Sequence, residues 1–316
     1  MRARTITAAV LAFTLAAPAA VAHADRGSGA AAVVPAAPGA AFAPVVAPAR
    51  GDQHSVAVDL AVETGGFTAP AELPAGSTTF RIRSADPEGA YLGVLRIRPG
   101  FTLRRVLDTL ESAYDHADPE AARAAARTLA EQVVMLGGAA VLPSVPVSYT
   151  AELAAGTYHL IDFKEIGRPG LEEKVRALHV RPSHRRPAPP ASVRIVQYEA
   201  ADGTGRFAAP AAIAAGRPVR VINRTSQFNE AILMPVRPGT TREQVGAFFA
   251  AMERREQVAS PFIGGPTGLV PISPGRSATF QADLPPGTYA LVTWLPDHNT
   301  GVGHAAQGMH EIITVE

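Results

Sequence analysis

The stretch that decides the fold closes the chain, where Asp283–Glu316 reads DLPPGTYALVTWLPDHNTGVGHAAQGMHEIITVE. Its pattern predicts two paired β-strands joined by a loop, because a Gly-Thr-Tyr turn opens the first strand and Pro-Asp-His-Asn-Thr-Gly has the composition of a loop. His304 and Met309 fall between the strands, and strand alternation places Thr293 and Trp294 on opposite faces. This hairpin carries most of the candidate site residues.

The rest of the chain contains two copies of one pattern. FTAP followed by AG in residues 67–76 recurs as FAAP followed by AG in residues 207–216. The segment VLRIRPG at 94–100 corresponds to LMPVRPG at 233–239, and each predicts a strand closed by a Pro-Gly turn. Both copies then change to helical spacing of their apolar residues.

Cap residues predict where two helices begin. In the second copy, Thr240 with Glu243 predicts a capping box. The first copy carries an additional helix, with Asp118 as its N-cap, Pro119 at its first position and an end near Leu136. After the helices, each copy is predicted to return through a glycine loop, at 137–138 or 264–265.

Both copies end in a Gly-Thr-Tyr turn, and the Tyr in each, Tyr158 or Tyr289, is expected to pack in the core with its hydroxyl bonded to a neighbouring loop. Many short strands, Gly and Pro turns and few helices are typical of a β-sandwich. We therefore predict an all-β protein of two tandem Greek-key β-sandwich domains, each with an inserted helical segment.

The start of the chain predicts export. Arg2 and Arg4 precede an apolar run, and Ala22-His23-Ala24 has the small-x-small form of a cleavage site. Heavy Ala, Pro and Arg usage is typical of a high-GC bacterial genome, and we expect a secreted, extracellular protein. The predicted organisation is a signal peptide at 1–24, an Ala/Pro-rich disordered spacer at 25–53, domains at 54–182 and 191–316, and a linker at 183–190.

The terminal hairpin resembles the last hairpin of a cupredoxin. In that family this stretch supplies a Cys, a His and a Met to one copper ion, and His304 and Met309 stand at the expected spacing. The Cys position is taken by Thr293, and the first His position by Asn229 of an Asn-Glu pair. The resemblance implies a cupredoxin-like fold without a blue-copper centre, since the chain contains no cysteine. In the first copy the equivalents are Ala90 and Asp162.

Two interpretations of the surviving ligands stay open. His304 and Met309, with help from His298 or His310, would form a weak copper site, because imidazole and thioether suit Cu(I) and Cu(II). Alternatively Met309 packs inward as a core residue and His304 stays half exposed. We favour the second, because a closed metal shell is hard to assemble without a thiolate, and so expect no cofactor beyond weakly bound copper.

Trp294 is a candidate for binding a protein or glycan partner if it is exposed; otherwise it covers a domain seam. A formal net charge of +1 indicates neither nucleic acid nor an anionic membrane surface as partner. Beyond the signal, no apolar stretch is long enough to span a bilayer, so membrane insertion is not expected.

The glycine loops lack phosphate-binding spacing, and no nucleophile or paired carboxylates stand out, so we expect no enzyme. The predicted function is therefore a secreted, non-enzymatic binding or interaction protein. The alternatives are a low-affinity copper handler using the terminal hairpin and a cell-surface structural protein.

Overall fold

The computed structural model describes residues 55–115, 118–183 and 187–316, and within them the chain forms two halves of nine strands each. The N-terminal half contains β1 Val56–Glu63, β2 Gly66–Phe67, β3 Glu72–Pro74, β4 Gly76–Ser84, β5 Ala90–Ile97, β6 Val133–Val141, β7 Val147–Leu153, β8 Gly156–Asp162 and β9 Arg176–Arg181. The C-terminal half contains β10 Val193–Glu199, β11 Gly205–Ala208, β12 Ala212–Ile213, β13 Val219–Asn223, β14 Asn229–Pro235, β15 Thr267–Ile272, β16 Ser277–Ala282, β17 Gly287–Val292 and β18 His310–Val315.

Four α-helices lie between these strands: α1 Leu103–Ala113, α2 Pro119–Gln132, α3 Leu171–Lys174 and α4 Arg242–Glu253. A 3-10 turn at Phe163–Glu165 follows β8. In the described part of the chain no helix is long and apolar enough to cross a membrane. The predicted signal peptide, the whole predicted spacer and residues 184–186 of the predicted linker lie outside the described residues, and the predicted domain limits stay predictions.

Both sheets are shared by the two halves. Sheet A has eight strands in the order β11-β10-β13-β16-β7-β4-β1-β2, and sheet B has ten in the order β12-β18-β17-β14-β15-β6-β5-β8-β9-β3. The halves meet where β7 pairs antiparallel with β16 in sheet A and β6 with β15 in sheet B. This junction pairs backbone groups that edge strands of separate sandwiches would expose.

The two halves have the same strand order. In sheet A, β2-β1-β4-β7 corresponds to β11-β10-β13-β16, and in sheet B, β3-β9-β8-β5-β6 corresponds to β12-β18-β17-β14-β15. In each half the first strand runs parallel to its inner neighbour, β1 beside β4 and β10 beside β13. The predicted fold class, an all-β Greek-key sandwich, is confirmed.

The helices cover the outer face of sheet B. Helices α1 and α2 enclose an apolar cluster with β5, β6 and β8, and Phe228 from the C-terminal half reaches into it. Helix α4 covers a second cluster on β14, β15 and β17. The main core lies between the sheets and runs through both halves. The halves are therefore held together by apolar packing as well as by strand pairing.

Both predicted helix starts are close to the observed ones. Asp118 caps α2 and Pro119 is its first residue, as predicted, but the helix ends at Gln132 because Val133 pairs with Ile97 in sheet B. The capping box of α4 uses Thr241 and Gln244, so the prediction was wrong by one residue. The N–H of Thr240 is already bonded to the carbonyl of Arg237, which places Thr240 in the preceding turn.

Gly137 and Gly138 do not form the predicted loop, because they lie inside β6. A Cβ atom at Gly138 would lie 1.9 Å from the carbonyl oxygen of Leu92, so only glycine permits the pairing with β5 there. The equivalent residue of the C-terminal half is Gly268 on β15, where a Cβ would lie 2.3 Å from the carbonyl oxygen of Ala231. The predicted tyrosine bonds are confirmed: Tyr158 donates to Ala154 O and Tyr289 to Pro285 O, each at 2.8 Å.

Candidate functional site

The loop between β17 and β18 folds back on itself so that its two candidate ligands come together. The N–H of His304 donates to the carbonyl of Leu295 at 3.0 Å, and the N–H of Met309 donates to the carbonyl of His304 at 2.9 Å. Met309 is fully buried, and His304 is only 3% exposed. The interpretation that His304 stays half exposed was therefore wrong, since the loop turns its ring into the protein.

The side chains of His304 and Met309 both pack against Gly205 on β11. A Cβ atom at this position would lie 2.7 Å from Met309 Sδ and 3.5 Å from His304 Nδ1. The missing side chain thus leaves room for an imidazole and a thioether beside each other. Strand β11 shapes this end of the C-terminal half, which we call the C-terminal pocket and define by Gln197, Gly205, Asn229, His304 and Met309.

Four polar atoms of this pocket are buried without a hydrogen-bond partner among the described residues. They are both ring nitrogens of His304, Oδ1 of Asn229 and Oε1 of Gln197. The other ends of the two amides are held: Nδ2 of Asn229 donates to Thr225 Oγ1 at 3.0 Å, and Nε2 of Gln197 donates to the carbonyl of Glu230 at 2.8 Å. The free oxygens therefore keep defined positions although nothing in the protein satisfies them.

Thr293, at the position of the family's cysteine, is fully buried at the end of β17. Its hydroxyl lies 3.4 Å from the N–H of Leu295. A hydroxyl cannot replace the thiolate of a blue-copper centre, because the Cu–S bond determines the properties of that centre. The residues present do not fit blue copper, whereas one imidazole and one thioether are donors that suit a soft or borderline metal ion.

The two other predicted histidine ligands are differently placed. The ring of His298 packs edge-on against Phe228, with 5.8 Å between the ring centroids, and burial lowers its pKa to about 4. Both ring nitrogens of His310 are within hydrogen-bonding distance of backbone carbonyls, Ala305 O at 2.8 Å and Arg242 O at 3.1 Å. His310 is therefore engaged in holding α4 to β18.

Trp294 faces away from Thr293 and packs under α4. Its ring centroid lies 4.9 Å from that of Phe249 and 5.8 Å from that of Phe262, and the side chain is half-buried. It therefore belongs to an apolar cluster that also includes Ala140 of the N-terminal half. That Trp294 binds a partner stays a prediction.

His304 is neutral in this setting, because burial lowers its pKa, although the carboxylates of Asp297 and Glu199 oppose the shift. Both carboxylates are held by other groups. Asp297 Oδ1 accepts hydrogen bonds from the backbone N–H groups of Asn299 and Thr300, and Glu199 Oε1 accepts from Ser226. A neutral imidazole offers one nitrogen lone pair, which is the form that binds metals.

Glu230 lies beside the pocket on the outer face of sheet B. One of its oxygens accepts the N–H of Trp294 at 2.6 Å. Burial raises the pKa of Glu230 to about 7, and the bond from Trp294 only partly opposes that shift. The pKa of the glutamate of the Asn-Glu pair therefore lies well above that of an exposed glutamate.

Helix α2 of the N-terminal half contacts the loop that carries His304. Arg127 donates to the carbonyl of His298 at 2.7 Å, and Arg123 donates to the carbonyl of Thr300 at 3.3 Å. Gly301 leaves the space for Arg123, since a Cβ there would lie 2.6 Å from the arginine Cδ. The additional helix thus positions the candidate loop across the junction between the halves.

The equivalent end of the N-terminal half is filled by ions. Asp162, at the cysteine position, accepts the N–H groups of Tyr91 and Lys164 through Oδ1 at 2.9 and 3.1 Å. Burial raises its pKa. Lys164 Nζ lies 2.6 Å from Asp86 Oδ2 and donates to the carbonyl of Gly89 at 2.8 Å. This charged group closes the end where the C-terminal half has its pocket.

Sequence reasoning missed Gln197. The signal was its position on β10, where alternation puts it on the inward face together with buried Ile195. A glutamine at an inward strand position requires hydrogen-bond partners for both ends of its amide, and only one end has one here. Among the described residues, no three His, Cys, Asp or Glu side chains converge as a metal cluster.

Solved structures of copper proteins are similar to this chain at low sequence identity. Auracyanin A, a "blue" copper protein from Chloroflexus aurantiacus, is 19% identical over 40% of this chain and 99% of its own, with a TM-score of 0.27. The copper-containing nitrite reductase of Thermus scotoductus SA-01 is 13% identical over 83% of this chain, which spans 61% of that enzyme's chain, with a TM-score of 0.24. A multicopper oxidase is 12% identical over 83% of this chain and 89% of its own, with a TM-score of 0.23.

No family model matches the chain, and neither does any curated protein. The strand order and pairing described above carry the assignment of the predicted cupredoxin-like β-sandwich. The copper chemistry belongs to the proteins named and is not transferred by a similarity of fold.

Proposed function

We propose that this protein is an exported, non-catalytic binding protein whose C-terminal pocket takes up a soft metal ion, with copper as the candidate. The observation that carries the proposal is the pair formed by His304 and Met309. A buried imidazole with two unpartnered nitrogens lies beside a thioether at Gly205. Leaving such groups unsatisfied costs about 1–3 kcal/mol each, which a bound ion would offset.

Copper would be cargo in this site. Imidazole and thioether are donors that suit copper, and they need no deprotonation here because His304 is already neutral. Electron transfer of the blue-copper kind requires a thiolate, and the chain contains no cysteine. These residues support uptake and release of an ion more readily than a reaction.

Export is supported by the first 24 residues, which have the form of a secretory signal. The mature protein would then begin near Asp25 and carry its two halves on an Ala/Pro-rich spacer. A protein handling copper outside the cell would meet the ion in an oxidising compartment, where this chain has no thiol to be oxidised.

The test is a titration of residues 25–316 with Cu(I), in competition with a chromophoric Cu(I) chelator, and separately with Cu(II) by calorimetry. We expect one ion per chain at micromolar or tighter affinity. His304→Ala and Met309→Leu should each weaken binding by about a hundredfold or more. His179→Ala removes an exposed histidine of β9 and should change nothing.

Absence of stoichiometric binding, or binding that His304→Ala leaves unchanged, would refute the metal proposal. It would favour the alternative that the protein docks a protein or glycan partner, or serves as a structural protein at the cell surface. Trp294 would not be the anchor of such a partner, since its ring packs against Phe249 and Phe262. The partner search would then turn to other surfaces.

A further inference from the structure

We infer that the loop segment 297–303 is a gate over His304, and that Arg123 and Arg127 of helix α2 hold this gate closed from the other half of the molecule. As a route for an ion the gate rests on the proposed function, because the ion would have to pass it to reach His304 and Met309. As a cover of His304 it does not depend on any metal. The gate also gives a role to α2, the second of two helices between β5 and β6, where the C-terminal half has α4 alone between β14 and β15.

The gate segment is the movable wall of an otherwise closed pocket. His304 is only 3% exposed and Met309 is fully buried, so no ion reaches them from solvent in the closed form. On one side the two side chains pack on Gly205, which lies in β11 and is fixed by pairing with β10. On the loop side lies Asp297, whose carboxylate is near enough to oppose the lowering of the pKa of His304 by burial. Sheet strands are held by ladders of backbone bonds, so the loop is the part that opens.

Hydrogen bonds inside the gate segment let it move as one piece. The N–H of Asp297 donates to the carbonyl of Val302 at 2.9 Å, and the N–H of Gly301 donates to the carbonyl of Asp297 at 2.7 Å. At the base, Pro296 and Gly303 form an isolated antiparallel bridge. The segment is therefore a small hairpin that can turn about its base without losing its own bonds.

Residues of the C-terminal half tie the two ends of the gate segment. The N–H of His298 donates to Gln227 Oε1 at 2.6 Å. The N–H of Gly303 donates to Glu253 Oε1 at 2.8 Å. These bonds anchor the base about which the segment turns.

Helix α2 ties the same segment to the N-terminal half. Arg127 Nη1 donates to the carbonyl of His298 at 2.7 Å, and Arg123 Nη1 donates to the carbonyl of Thr300 at 3.3 Å. A further bond to Thr300, from Gln307, lies within the β17–β18 loop itself. Each hydrogen bond of this kind shifts an opening equilibrium about fivefold, so the two arginines decide how often the gate opens.

The first experiment measures the gate without metal. Residues 25–316 are treated with diethyl pyrocarbonate, which acylates neutral, accessible imidazole, and the acylation rate of His304 is followed by mass spectrometry. We expect slow acylation in the wild type, about fivefold faster acylation in Arg127→Met and about twentyfold faster acylation in the double variant with Arg123→Met. Methionine keeps an apolar stem at each position and removes the hydrogen bonds of arginine.

Controls separate opening of the gate from other effects. Arg104→Met removes an exposed arginine of α1 and should leave the acylation rate of His304 unchanged. His179 is exposed on β9 and should react fast and equally in every protein. His310 is buried in β18, outside the gate segment, and should stay slow, so a faster rate there identifies a variant whose fold has loosened. If the double variant has loosened, Arg127→Met decides.

The second experiment measures passage of the ion. Protein loaded with Cu(I) is mixed with an excess of a chromophoric Cu(I) chelator, and transfer is timed by stopped flow. Arg127→Met should release Cu(I) about fivefold faster than the wild type or Arg104→Met, with the equilibrium affinity changed less than about twofold. The affinity is kept because the arginines bond to the loop backbone and supply no ligand. Equal release rates beside accelerated acylation would overturn the gate as the route of the ion.

The outcomes separate the gate from the metal proposal. Unchanged acylation of His304 in both arginine variants overturns the gate, whether or not copper binds. A wild-type His304 that reacts as fast as His179 also overturns it, because the segment would then not cover the ring. Accelerated acylation without Cu(I) binding in any protein supports the gate and refutes the metal proposal. Cu(I) binding with equal acylation and release rates in all proteins leaves the metal proposal standing and overturns the role of α2.

Discussion

The two halves of the molecule close the same end of the same strand arrangement with opposite chemistry. In the N-terminal half, Lys164 and Asp86 form a buried ion pair at 2.6 Å, and Glu165 pairs with Arg168 and Lys174. In the C-terminal half, the corresponding end contains neutral side chains, three of which, Gln197, Asn229 and His304, have unpartnered polar atoms.

The difference between the two ends indicates which of them could bind a ligand. A buried charge is kept only with a partner, so the N-terminal end is filled by groups that satisfy each other. Neutral amides and an imidazole cost less to leave unpaired, and the C-terminal end keeps them facing the core. Under the proposed function, the end with the unpartnered imidazole and amide oxygens is the one that would take up a ligand.

The largest expected loss of stability comes from removing the buried ion pair of the N-terminal half. Lys164→Ala leaves Asp86 buried without its partner and should lower the free energy of unfolding by about 3–5 kcal/mol, measured by urea denaturation. Arg81→Ala is the control, because Arg81 and Asp59 form an exposed pair at 3.9 Å and their loss should cost less than about 1 kcal/mol. Equal losses would mean that the charged end is not a stabilising closure.

At the C-terminal pocket we expect a substitution to increase the free energy of unfolding. His304→Leu removes two unpartnered buried nitrogens and should raise the free energy of unfolding of the metal-free protein by about 1–2 kcal/mol. His310→Leu is the matched control and should be destabilising, because its ring nitrogens lie within hydrogen-bonding distance of two carbonyl oxygens and its N–H has a partner in either tautomer. If His304→Leu destabilises the protein as His310→Leu does, the unpartnered ring nitrogens of His304 do not lower the stability of the metal-free protein.

The contact between the halves should have a smaller effect. Arg127→Met removes the bond from α2 to the carbonyl of His298 and should cost about 1 kcal/mol. It should also accelerate hydrogen exchange at Gly301, whose N–H donates within the loop to Asp297 O. Arg104→Met, on the exposed face of α1, serves as the control. Unchanged exchange at Gly301 would show that α2 does not order the loop.

The smallest effect is a pH dependence of the charged end. Burial raises the pKa of Asp86, but the hydrogen bond and charge of Lys164 outweigh burial and hold it below the ordinary value. A carboxyl with a lowered pKa contributes stability that is present above its unfolded pKa and is lost as pH falls through its folded pKa. Thermal unfolding between neutral pH and pH ~3 should therefore show a steeper loss for the wild type than for Asp86→Asn. Parallel curves would contradict this.

Much of the fold follows from local patterns. The Gly-Thr-Tyr turns predict tyrosines bonded to the neighbouring loop, and Asp118-Pro119 predicts the start of α2. Such features depend on residues close in the chain. Gly137 and Gly138 were misread as a loop because their role depends on Leu92 of a different strand, whose carbonyl leaves no space for a Cβ.

The candidate site divides in the same way. By itself the sequence determined that no thiolate is present and that His304 and Met309 share one loop, since composition and spacing are properties of the chain. Only the tertiary structure decided that both pack on Gly205, that His310 is engaged elsewhere, and that the free oxygen of Gln197 is left at the same end. The physical reason is that hydrogen-bond satisfaction is settled between strands far apart in sequence, so an unsatisfied group becomes visible only when every neighbour is in place.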